Sequence, residues 1–69
     1  MQMDIATRLV AAALALDGPL GALDGIISEL PEGEEKDECR GALADVIGIV
    51  ARHLIFRVYR QYPELDPDR

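Results

Sequence analysis

The amino-acid sequence predicts an all-α protein, an elongated antiparallel helical hairpin that dimerises into a four-helix-like bundle. Three observations point there. The apolar residues are mostly Ala, Leu, Ile and Val, with 4% aromatics and no tryptophan, a composition suited to helix packing rather than to a β-sandwich. Apolar positions recur at spacings of three and four along two long stretches. One strong break, Pro31-Glu32-Gly33, separates them.

Residues 1–69 read as a single helical domain: a segment over 4–30, a turn at 31–33, a long helix over 34–61 and a polar tail over 62–69. The first segment is expected to start with Asp4 as N-cap. Ile5, Leu9, Ala12, Ala13 and Leu16 form its apolar stripe, and Leu20, Leu23, Ile26, Ile27 and Leu30 resume it. Between them lies Asp17-Gly18-Pro19. Pro19 has no N–H and disfavours a helical conformation at Gly18. The N-terminal helix is therefore kinked or split at Gly18-Pro19, with Asp17 or Gly18 as the new cap in the second case.

The stretch from Glu34 to Gln61, before Pro63, reads as one helix of roughly 42 Å. A compact globule of this chain length has a radius of gyration near 11 Å. The helix outruns it, so residues 4–30 should lie back along 34–61. A first seam of bulky residues, Cys39, Leu43, Val46, Ile47, Val50, Leu54 and Val58, is expected to face that segment. A second seam, Gly41, Ala44, Gly48, Ala51 and Ile55, has the coiled-coil spacing and small side chains. It is the expected dimer interface, because Gly costs about 1 kcal/mol against Ala inside a helix and close packing would offset that. Association is also the reinforcement left to so small a core. With one cysteine, Cys39, no intrachain disulfide can form.

Charge is distributed unevenly. Glu29, Glu32, Glu34, Glu35, Asp37 and Glu38 accompany a single base, Lys36, so the segment 29–38 carries 1 − 6 = −5. Arg52, Arg57 and Arg60 follow at the other end with no acid between them. The helix macrodipole favours this polarity. Recognition is the second use it can serve. His53, Phe56, Arg57 and Arg60 share one helical face, with Arg52, Tyr59 and Tyr62 around its side. Phe56, Tyr59 and Tyr62 are all the aromatics of the chain. Tyr and Arg beside one another mark binding hot spots, so these seven residues form the candidate partner-binding patch. The competing reading places Phe56 in the core and Tyr59 over the open end of the hairpin.

Chemistry finds little to work with. No glycine-rich phosphate loop, zinc spacing, EF-hand or Ser-x-x-Lys pattern occurs. His53 and Cys39 are fourteen residues apart and cannot build a four-ligand site. The expectation is a non-enzyme with no catalytic residues, no metal and no cofactor. A net charge of −6 disfavours nucleic acid as a partner. The most apolar stretch considered, Val46 to Ala51, is too short for a bilayer, so no membrane partner is expected. Ala13-Leu14-Ala15 mimics a signal-peptide cleavage site, but Asp4 offsets Arg8 and no positive n-region precedes it, which leaves a cytoplasmic location as the expectation.

In size, acidity and hairpin character the chain resembles the small inhibitors and anti-activators that bacteriophages encode to disable host regulators. That resemblance implies a regulatory or inhibitory binder that docks on a larger protein, and it assigns no residues. An assembly subunit of a larger complex is the first alternative. An antitoxin-like or DNA-associated regulator is the second.

Overall fold

The computed structural model describes residues 1–68. It is an all-helical hairpin, with no strand among the described residues. The first arm holds α1 (Met3–Leu14) and α2 (Asp17–Ile27). The second holds α3 (Glu34–Val50), a π-helical turn (Ala51–Ile55) and α4 (Phe56–Gln61). A 3₁₀ turn (Pro63–Leu65) follows. The arms run antiparallel, α2 against α3 and α1 against the π turn. The rod measures 45 × 20 × 17 Å, with a radius of gyration of 14.8 Å.

Pro19 bends the first arm without splitting it. Its missing N–H leaves the Ala15 carbonyl without the usual donor. The Leu16 N–H turns to the Ala13 carbonyl, three residues back, at 3.2 Å. Ala15 and Leu16 keep helical dihedrals with shallow ψ of −15° and −13°. The chain therefore passes through as one slightly bent helix, and the Leu20 N–H resumes the α-helical pattern to Leu16 at 2.8 Å. The N-terminus differs from expectation. Helix α1 begins at Met3 with Gln2 in the cap position, and no side chain caps it. Asp4 sits in the first turn, where it favours the positive end of the dipole and lies 3.9 Å from Arg8 in an exposed pair.

The turn is built by two residues. Gly33 has φ 152°, a region that residues with a Cβ avoid, and its carbonyl receives the Asp37 N–H at 3.1 Å. Lys36 is buried. Its Nζ donates to the Ser28 carbonyl at 3.2 Å and to Glu32 Oε1 at 2.8 Å. An ammonium at the end of α2 satisfies an orphan carbonyl and complements the dipole there. Lys36 thus clasps the two arms together. Its hydrogen bond and its charge hold the Glu32 carboxyl below the usual carboxylate range.

The core is thin. Ala6, Val10, Ala13, Leu43 and Val58 are the buried apolar residues. Leu9, Ile55, Tyr59, Tyr62 and Leu65 pack around the Ala6–Val10–Val58 cluster at the open end. The segment after Gln61 is accordingly not a free polar tail, because Tyr62 and Leu65 fold back onto that cluster. Arg69, the last residue of the expected tail, lies outside the described residues.

The expected seams of the long helix hold in part: Leu43 and Val58 of the first are buried as expected, and other positions differ. A π turn inserts an extra residue per turn and rotates everything after it. Ile55, expected on the outer seam, therefore packs inward against the Val58 cluster. Ala51 lines a groove with Ala13, Leu14 and Leu20. Leu54, expected inward, is half-buried and stands outside that cluster. Val46 and Ile47, also expected inward, are each 46% exposed. The five-residue small seam is thus not one continuous outer stripe.

Candidate functional site

Two surfaces remain open on this hairpin: the basic end and an apolar flank.

At the basic end the seven candidate residues fall into two groups. Arg52, His53, Phe56, Arg57 and Arg60 are exposed. The Arg57 Nε donates to the His53 carbonyl at 3.1 Å, which holds its guanidinium along the helix. Phe56 keeps about half its surface in solvent, although an isolated aromatic of that size is costly to leave wet. Tyr59 and Tyr62 are half-buried against the core. The Tyr62 hydroxyl donates to the Met1 carbonyl and ties the two chain ends. The Phe56 and Tyr59 rings lie 6.5 Å apart, tilted by 44°, within the range of favourable aromatic pairs. Tyr59 therefore supports Phe56 from below, while the exposed face is Phe56 with its arginines.

The apolar flank comes from residues that sequence periodicity placed inside. Helix α1 turns Ala6, Val10 and Ala13 toward the other arm. Of the expected stripe, Leu9 packs against the core cluster, whereas Ile5 in α1 is 43% exposed and Leu16 just beyond it 40%. Helix α2 buries no residue at all, with Leu23 and Ile26 at 49% and 63% exposure. Leu23 and Ile27 line an open groove with Cys39, Ala42, Leu43 and Val46 of α3. Cys39 is half-buried there. The spacing of Ala42, Val46 and Ile49 continues this flank along α3, and Ile49 is 53% exposed.

The small-residue seam is less occupied. A Cβ on Gly41 would meet open space, and one on Gly48 would meet only the Arg52 guanidinium at 3.5 Å. Nothing within the hairpin requires glycine at either position. Ala44 is exposed as well.

Among the described residues, no group of three or more His, Cys, Asp or Glu converges as a metal site requires. Membrane chemistry is better represented than the sequence reading allowed. Met3–Ile27 forms one helical stretch of 25 residues containing an 18-residue window of mean hydropathy 1.5, long and apolar enough to cross a bilayer by length and composition. Breaking the segment at Gly18-Pro19 had hidden that length. The Lys36 clasp was also missed. A lone lysine within an acidic run is its only sequence signal.

Comparison with protein-family models, with curated proteins and with solved structures finds no match to this chain.

Proposed function

We propose that this protein is a small non-enzymatic binding module, a homodimer that docks on a larger protein as a regulator or inhibitor of the anti-activator kind. One observation carries the reading. Eleven large hydrophobic side chains are 40–63% exposed against five buried apolar residues, so the hairpin leaves a large part of its apolar surface in water. Soluble monomers rarely present contiguous patches of this kind.

The basic end is the proposed docking patch. Phe56 supplies the apolar anchor, and Arg52, Arg57 and Arg60 supply directional donors that suit a carboxylate-bearing partner surface. His53 contributes to the same face. Tyr59 and Tyr62 hold the helix end in place beneath it.

A second reading draws on the same thin core. An assembly subunit that folds only within a larger complex would show the same exposed flank. Circular dichroism separates the two, since the regulator reading requires the isolated chain to be helical.

The test of the docking patch is affinity capture from cell extract with wild type and the double variant Phe56→Ala/Arg57→Ala. Loss of a specific captured protein in the variant is expected. Recovery of the same proteins by both would reject the patch as the docking surface.

A further inference from the structure

Resting on the homodimer proposed above, we infer that the second copy seats on the flank formed by Leu16, Leu23, Ile26, Ala42, Val46 and Ile49, in antiparallel orientation, and not on the small-residue seam.

The flank has the pattern of a helical interface on both arms. Positions 16, 23 and 26 belong to a three-four repeat between Ile5 and Leu30 whose own positions are uncharged, with Arg8, Asp17, Asp24 and Glu29 lying off the stripe. Positions 42, 46 and 49 continue the same spacing from Cys39. The groove between Leu23, Ile27, Ala42 and Val46 places the two stripes on one side of the hairpin. Four stripes from two such faces make a four-helix bundle.

The chain has surface to spare. A folded monomer of 7.5 kDa exposes about 4,250 Å² by the usual scaling. This chain, a rod of 45 × 20 × 17 Å, exposes 4988 Å².

Charge sets the orientation. In a two-fold dimer the same patch meets itself. A parallel arrangement lays the acidic segment 29–38 of one copy on that of the other, −5 against −5. An antiparallel arrangement lays it beside Arg52, Arg57 and Arg60 of the second copy. The second case is attractive and loses strength as salt rises. It also leaves Cys39 about 10 Å along the helix from the centre of the flank, so the two thiols stand roughly 20 Å apart. Val46 lies near that centre and close to its symmetry mate.

Light scattering on the full chain, with circular dichroism as a check on folding, tests the face. Wild type is expected at twice 7.5 kDa, Val46→Glu at the single mass with helix retained, and Gly48→Leu at the double mass. A wild-type dimer that survives Val46→Glu, or that dissociates with Gly48→Leu, overturns this face and leaves the homodimer standing. A wild type of single mass overturns both. Mild oxidation tests the orientation independently of any unfolding by the glutamate. Cys39→Ser/Val46→Cys is expected to give a disulfide-linked dimer, and wild type is expected to give none. The reverse result overturns the antiparallel arrangement. Flotation with phosphatidylcholine and phosphatidylglycerol vesicles supplies the last arm. The protein is expected to stay unbound, and co-flotation would assign the flank to a bilayer instead.

Discussion

The open end and the middle of the hairpin are built from similar residues and come out differently. At the open end, Val58 is fully buried between Ala6 and Val10, with two tyrosines and Leu65 sealing the margin. In the middle, α2 buries nothing, and α3 contributes only Leu43 and the Lys36 clasp. The contrast comes from what closes the margin. At the open end Leu9, Ile55, Tyr59, Tyr62 and Leu65 pack around Ala6, Val10 and Val58. Leu20 and Ile47 across the middle border shallow grooves instead. The open end holds the hairpin together, while the middle leaves apolar side chains open to solvent.

Matched substitutions sharpen that contrast. Val58→Asp places a charge in the sealed end, which should cost about 4 kcal/mol or more and unfold so small a domain. Leu23→Asp, on the open flank, should change the stability of the dissociated chain by less than about 0.5 kcal/mol. Urea melts at low protein concentration measure both. Equal losses would erase the distinction between the two regions.

The turn gives the next largest effect. Gly33→Ala forces a Cβ into a conformation that costs on the order of 1–3 kcal/mol, read as a drop in the urea midpoint. Lys36→Met keeps the buried stem and removes the donor to Ser28 and Glu32, so a smaller loss is expected. In that variant the Glu32 carboxyl should titrate nearer its usual value, which carboxylate NMR would report.

The smallest effect is on pH dependence. The folded-state pKa of Glu32 is lowered from 4.5. Its contribution is therefore present above the unfolded value and fades as pH falls through the folded one. Wild type should lose slightly more stability than Lys36→Met on acidification across that window. Parallel pH profiles would show that the clasp adds nothing.

The hairpin was legible in the sequence because Pro31 and Gly33 punctuate two periodic stretches. The inward phase was not legible. Helix α1 is apolar over so wide an arc that its stripe fits two directions, one centred on Ala6 and Val10 and one on Ile5 and Leu16. Periodicity favours the second, whereas the hairpin buries the first. The π turn was equally hidden, since Ala51 to Ile55 contains no proline or glycine. It decides that Ile55 and Tyr59, rather than Leu54, pack around Val58. The exposed part of the patch was readable from its composition, because Phe56 and the arginines are crowded together. Which aromatics pack against the core depended on the π turn.

The central claim is that one hairpin cannot cover its own apolar flank, so folding and association are coupled. The most direct measurement is the urea midpoint of the wild-type chain over a hundredfold range of protein concentration. Coupling by mass action predicts a midpoint that climbs with concentration. A midpoint that holds still across the whole range, with a cooperative helical transition, would contradict it.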